Sequence, residues 1–472
     1  MPFHTSVAAP GPAESAEPHE RFVTGIESKP TLTSALDARP LTRVQYLAAI
    51  LCGLVAVLDG FDVQSIAFAA PSISQEWAIP SAEFGLVFSA GLSGMVLGAL
   101  SQGPVADRIG RKPALLACVV VFGVFTLTIA FARSLDQLLA ARFAAGVGMG
   151  AAVPNFIALT SEYAPQRLKS RMIIAMNAGF PFGGFLGGIL SAQLLTEFGW
   201  RSIFVVGGLA PLLLLPLLAW FLPESILFEA ERAARRGEAD GGPKARKLLS
   251  KLQGKDETLD PQAFAWPSRD ANLKPRFAAI FEDGRAFGTV LLWAACFASL
   301  ILFYALVSWL PSLLTQAGLP PSRAVTVAAI LNLGAVVGGF CLGWVADRFG
   351  PRRALACNYL LAGCGCVAFG LSLHQSLPVL FGLGALLGFC CGGGQLMLNA
   401  LSAMFYPTHI RSTGLGAAGM AGRLGSLTGP MVGGALLGAG LAMSSLFAWL
   451  AAPALVTAIS AALLPEGKRA SR

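Results

Sequence analysis

Two aspartates one helical turn apart interrupt an apolar run in Leu58-Asp59-Gly60-Phe61-Asp62. At about 1.5 Å per residue, Asp59 lies roughly 24 Å along a helix from Arg43, deep enough to reach the middle of a hydrocarbon layer. Residues spaced in this way share one helix face, and two carboxylates withdrawn from water repel each other. At least one of them is therefore expected to take up a proton on one side of a membrane and release it on the other. The competing reading is a pair of structural hydrogen-bond acceptors at a helix broken by Gly60. Arg423 is the complementary charge, about 18 Å along its own helix from Arg411. A guanidinium stays charged and offers a planar fork suited to a carboxylate, so its partner is a bound organic anion or, with no anion present, Asp59 or Asp62. A permanent structural ion pair is the alternative. Arg142, nearer the outer end of its apolar run, is a candidate for substrate contact or gating.

The elements that position these charges follow from composition. Of the 472 residues, 55% are apolar and only 13% charged, and apolar runs long enough to span a bilayer occur about twelve times. The expected fold is an all-α membrane protein of twelve transmembrane helices. Its expected division is a disordered cytoplasmic tail at 1–43, a six-helix bundle at 44–222, a cytoplasmic linker at 223–285, a second bundle at 286–464 and a tail at 465–472. With both termini cytoplasmic, 29 of the 34 Lys and Arg fall on cytoplasmic segments, the bias expected of membrane topology rather than of nucleic-acid binding. The nine Cys and four His have no metal-ligand spacing, and no nucleophile or phosphate-loop pattern supports an enzyme. No cofactor is expected beyond the proton as coupling ion.

A repeat ties the two bundles together. Gly103-Pro-Val-Ala-Asp107-Arg108-Ile-Gly110-Arg111-Lys112 returns 240 residues later as Gly343-Trp-Val-Ala-Asp347-Arg348-Phe-Gly350-Pro351-Arg352. Gly103 is expected to let two helices approach closely, so that Asp107 accepts from a neighbouring helix end or from an Arg across the interface. Such a latch closes the cytoplasmic side and breaks on opening. The second copy, with Pro351 in the basic step, is the weaker gate. Parallel six-helix repeats hold substrate between halves near the midplane.

The Gly-x-x-x-Asp-Arg-x-Gly-Arg-Lys pattern resembles the signature of the major facilitator superfamily, and the likeness extends from about Tyr46 to Leu464. Within it, Asp59-Gly60-Phe61-Asp62 is similar to the first-helix signature of the aromatic acid:proton symporter family. Arg142, Glu162 at the end of its helix, Pro223-Glu224-Ser225, Arg411 and Arg423 also fit that family's pattern. The family often carries a His in the loop where this chain reads Arg348-Phe-Gly-Pro-Arg352-Arg353, a departure that touches the second gate. The resemblance implies proton-coupled import of aromatic carboxylates of the 4-hydroxybenzoate, protocatechuate, benzoate or gentisate type across a bacterial inner membrane; a monomer is expected, although nothing in the sequence fixes the oligomeric state. A carrier of another organic anion, such as a dicarboxylate or sugar acid, and a drug or metabolite efflux antiporter are the rivals. Against efflux, the Gly-x-x-x-Gly-Pro-x-x-Gly-Gly form lies at Gly425–Gly434, while the earlier copy has Gly184 in place of Pro.

Phe303 and Tyr304 are candidates to flank a ring, and Asn155, Asn177 and Asn399 to orient its hydroxyls. The same residue types pack and bridge membrane helices routinely. The expected gating set is Gly103, Asp107, Arg108, Gly110, Arg111, Glu162, Asp347, Arg348 and Arg411.

Overall fold

The computed structural model describes residues 41–236, 238, 242–252, 277–407 and 410–465. The proposed tails therefore lie almost wholly outside the described residues, as does much of the linker. Twelve long helices account for most of the rest, and no strand occurs among the described residues. They are α1 (Arg43–Trp77), α2 (Ser81–Ile109), α3 (Arg111–Ile129), α4 (Leu135–Tyr163), α5 (Gln166–Glu197), α6 (Arg201–Phe221), α7 (Ala286–Gln316), α8 (Pro321–Phe349), α9 (Pro351–Leu371), α10 (Leu377–Phe405), α11 (Arg411–Gly438) and α12 (Met443–Leu463). Eleven are long and apolar enough to cross a bilayer; α11, at 28 residues, is long enough but is rich in glycine and carries Arg423 at its middle. The chain is a multi-pass membrane protein.

Local signals explain the ends. Thr42 and Gln45 form a reciprocal cap that starts α1, with Gln45 N donating to Thr42 Oγ1 at 3.4 Å and Thr42 N to Gln45 Oε1 at 2.8 Å. Gly110 at φ 103° turns the chain sharply between α2 and α3, and Gly350 at φ 86° does the same between α8 and α9. In α10 a π-turn at Phe389–Gly393 rotates the following segment.

The repeat seen in sequence is a repeat in space. In the first half α2 lies on α4, α1 on α5 and α3 on α6; in the second, α8 lies on α10, α7 on α11 and α9 on α12. Equivalent glycines create equivalent close approaches, since a Cβ on Gly183 would press on Val57 O and one on its counterpart Gly429 on Ile301 O. The halves meet chiefly through α2 with α11 and α5 with α8.

These meetings gather on one side. Ser89 Oγ donates to Leu427 O at 3.1 Å, Phe88 stands edge-on to Trp309 at 5.2 Å, and Cβ atoms on Gly438 and Gly188 would press on Ala82 and Ala329. All involve the starts of α2 and α8 or the ends of α5, α7 and α11. At the opposite end, which carries the basic loops, Gly103, Gly343, Gly416 and Gly419 have open space around them. The expectation of a close helix approach at Gly103 is not met in this conformation. The close approaches of α2 to α4 fall instead at Gly94 and Gly98.

The described part of the linker is more ordered than its polar composition implied. Two short helices, Ile226–Ala234 and Gly242–Ser250, lie against each other and bury Ile226, Ala230, Ala245, Leu249 and Leu252 in the core of the first half. Residues 253–276 lie outside the described residues.

Candidate functional site

Gly60 explains how two acids come to sit inside the bilayer on a packed helix. A Cβ there would lie 1.9 Å from Phe180 O, so the backbones of α1 and α5 touch and Asp59 and Asp62 are held at the centre of the protein. Asp59 is 1% exposed and Asp62 is fully buried. From α4, Arg142 reaches across: Nη1 lies 3.7 Å from Asp62 Oδ2 and donates to Asp62 O at 3.2 Å, while Nη2 donates to Val63 O at 3.3 Å. The bare Gly91 of α2 leaves room for this guanidinium, since a Cβ would lie 3.2 Å from Nη2. Gly207 of α6 also borders Asp62. Asp62 is thus paired within the first half, and Arg142 is a buried partner rather than a residue of the outer mouth.

Asp59 faces a different partner. Its charged neighbours are Asp62 and Arg423, and Tyr304 of α7 lies within electrostatic reach of both Asp59 and Arg423. Of the two acids expected as partners of Arg423, Asp62 pairs with Arg142, and Asp59 is the one with Arg423 among its charged neighbours. Between the halves Val63, Phe88, Met95, Arg142, Tyr304 and Ser308 line a narrow cleft of about 10 Å³, space for roughly one water. Phe303 is buried, with its ring edge-on to Tyr304 at 5.6 Å. A larger cavity, about 110 Å³, lies between the outer ends of α1, α2 and α7, lined by Ser74, Gln75, Trp309 and Gln316 among others. It carries no charged side chain and is ill-suited to an anion.

The amides separate similarly. Asn155 is buried and donates to Ala151 O of its own helix at 3.0 Å, leaving Oδ1 without a hydrogen-bond partner among the described residues. Asn177 marks the break between the two segments of α5. Asn399 is exposed and accepts from Gln395 Nε2 at 3.2 Å. The sequence reading missed Gln64. Its amide exchanges two hydrogen bonds with Asn332 of the other half, at 2.9 and 2.6 Å, where the halves meet. The only signal for it is a polar side chain in an apolar run two residues beyond Asp62.

On the basic side, three of the expected gating residues, Gly110, Arg111 and Glu162, join a network within the first half. Glu224 Oε1 accepts from the backbone N–H groups of Arg111 and Lys112 at 3.0 Å each and of Ser225 at 2.8 Å, capping the start of α3. Ser225 Oγ donates to Glu162 Oε2 at 2.6 Å, and Arg111 Nε lies 3.4 Å from Glu162 Oε1. Gly110 is required twice, by its φ and because a Cβ would lie 2.5 Å from Glu224 Oε2. Glu224→Ala strips a charged acceptor from three N–H groups, a loss of about 1–3 kcal/mol. The expected result is a lower thermal midpoint, read with a thiol-reactive dye as buried Cys52, Cys118 and Cys366 become accessible; an unchanged midpoint would remove the capping role.

In the second half Arg352 Nη2 donates to Ala462 O at 3.2 Å, as Lys112 Nζ does to Ala219 O at 2.7 Å. Pro351 leaves no counterpart to Arg111. Asp107, Arg108, Asp347 and Arg348 are exposed, with Arg348 stacked near Trp344. Arg411 opens α11 and donates to Tyr406 O at 3.4 Å.

Comparison with known proteins agrees with this architecture. Residues 52–371 and 325–472 match the Major Facilitator Superfamily. The chain is 41% identical to a gallate transporter of Pseudomonas putida over 92% of its length and 94% of that protein, and 40% identical to a 4-hydroxybenzoate transporter of the same organism over 90% and 94%. Among solved structures, a D-xylose-proton symporter superposes with a TM-score of 0.69 at 16% identity, over 90% of this chain and 98% of that one.

Proposed function

The chain belongs to the Major Facilitator Superfamily of membrane transporters, and on that premise we propose that it imports small aromatic carboxylates together with protons across a bacterial inner membrane, its termini in the cytoplasm. The relatives named for gallate and 4-hydroxybenzoate support the substrate class. The observation that carries the coupling is the balance of charge at the seam: Asp59 and Asp62 against Arg142 and Arg423. With both aspartates ionised, two negative and two positive groups cancel before substrate binds. A carboxylate added beside Arg423 leaves the site one negative charge in excess, and a proton taken by an aspartate restores neutrality. Anion and proton then favour each other's binding, and each binding free energy carries the same linkage term.

In this scheme Arg423 holds the carboxylate, Tyr304 and Phe303 border the ring, Asp59 exchanges Arg423 for a proton as the anion arrives, and Asp62 with Arg142 carries the change into the first half. The end with the basic loops is where cargo is released in this scheme. The meeting of α2 with α11 and of α5 with α8 opens in turn to admit the next substrate. The test is uptake of labelled 4-hydroxybenzoate into proteoliposomes. An inward proton gradient should raise accumulation and an uncoupler abolish it; uptake indifferent to both would reject coupling.

A further inference from the structure

We propose that α10 carries a hydrogen-bond donor site, formed by Gln395 and Asn399 and oriented by Ser299 and Tyr359, that reads an oxygen substituent on the ring of the transported acid. The proposal rests on the aromatic-acid reading above and adds how the ring is distinguished.

A directed relay runs out of the second half. Tyr359 of α9 is fully buried, and its hydroxyl meets Ser299 Oγ of α7. Ser299 Oγ donates to Gln395 Oε1 at 2.6 Å. A serine has one proton to give, so Tyr359 must be the donor to Ser299. The amide of Gln395 is thereby fixed with its oxygen inward and its nitrogen outward, and Nε2 donates to Asn399 Oδ1 at 3.2 Å. Asn399 is fixed in the same sense. What the relay presents at its open end is N–H: the second hydrogen of Gln395 Nε2 and both hydrogens of Asn399 Nδ2.

The backbone is built to hold this end in place. The π-turn at Phe389–Gly393 ends immediately before Gly394, and Asn358 Nδ2 donates at 2.8 Å to Cys390 O inside it. Gly394 has no room for a side chain, since a Cβ would lie 2.9 Å from the Tyr359 ring. Asn399 is exposed six residues before the end of α10, about 9 Å along the helix. An amide facing lipid at that depth is costly; one facing a water-filled opening between the halves is not. Arg423 and Gln395 lie at similar depths, about 18 and 15 Å from the basic-side ends of their helices.

The two halves divide the chemistry of the seam. The first half brings Asp59 and Asp62, and the second brings a neutral relay ending in donors. Charge is met by the acid and the arginines, whereas a phenolic oxygen is met by the amides. A site built to bond a hydroxyl discriminates strongly against the analogue without it, because its own groups are then left unpaired.

The experiment compares uptake efficiency for 4-hydroxybenzoate and benzoate in proteoliposomes. Wild type should prefer the hydroxylated acid. Gln395→Leu and Asn399→Leu should each lower the ratio of the two efficiencies about 10-fold or more. Ser299→Ala, which frees the Gln395 amide to turn over, should lower it in the same direction. Because the readout is a ratio, loss of folded protein cancels, and exposed Asn399 supplies a variant that spares the core. An unchanged ratio in both amide variants, or no preference in wild type, overturns the proposal. Failure of wild type to carry either acid would overturn the aromatic-acid reading itself and is distinguishable from those results.

Discussion

Asn at position 59 and Asn at position 62 should both abolish accumulation driven by a proton gradient, with different consequences for the protein. Asp59→Asn keeps shape and removes the ionisable group, so the variant should reach the membrane at wild-type abundance. It should exchange labelled for unlabelled substrate across the bilayer while failing to concentrate it. Asp62→Asn has an added cost. Arg142 is 2% exposed and has Asp62 as its ion-pair partner, and breaking one side of a buried pair costs about 3–5 kcal/mol because the other charge is left uncompensated. Abundance of Asp62→Asn should therefore fall. Adding Arg142→Gln, which removes the stranded charge, should restore it without restoring accumulation. Gradient-driven accumulation by either single variant at the wild-type level would reject that aspartate as a coupling group. Failure of Arg142→Gln to rescue abundance would show that the buried pair is not what Asp62 contributes to folding.

The frame of this protein was legible in the sequence because membrane helices are specified by length and apolarity, and because the motif at Gly103 repeats at Gly343. Position along the helix was legible as well: counting residues from Arg43 and Arg411 put Asp59 and Arg423 near the middles of their helices, where the structure has them. Pairing was not. Asp59 and Asp62 are one turn apart, yet about 60° of rotation separates three residues from a full turn, enough to bring Asp62 to Arg142 while Asp59 has Arg423 among its charged neighbours. Rotation about a helix axis is set by neighbours, here by Gly60 against Phe180 and Gly91 beside Arg142, and neighbours are a property of the fold. The bond between Gln64 and Asn332 escaped for the same reason, since it joins residues 268 apart in the chain. The capping of α3 by Glu224 was only half visible: Pro223-Glu224-Ser225 stood out as a motif, while its acceptor role depends on Gly110 turning α3 back towards the end of α6.

Arg423 offers the second large effect. Its neighbours across the seam are Asp59 and Tyr304, and in the proposed cycle it holds the substrate carboxylate through two parallel N–H groups. Arg423→Lys keeps the charge but loses the fork, leaving one point contact. Arg423→Ala loses both and leaves Asp59 facing the bound anion with no cation between them. Each charged hydrogen bond is worth about 1.5–3 kcal/mol. Apparent substrate affinity should fall about 10-fold to 100-fold for Lys, at 1.4 kcal/mol per decade, and transport should become undetectable for Ala. The pattern separates binding from scaffolding. A scaffolding arginine loses abundance on substitution with substrate affinity intact in what remains, whereas a binding arginine loses affinity at full abundance. Combining Arg423→Ala with Asp59→Asn tests the charge balance directly, because the double variant removes one charge of each sign. If Arg423 served only to neutralise Asp59, the pair would recover substrate binding. If it holds the carboxylate, binding measured by displacement of labelled substrate remains lost, and the aspartate alone is no substitute for the missing guanidinium.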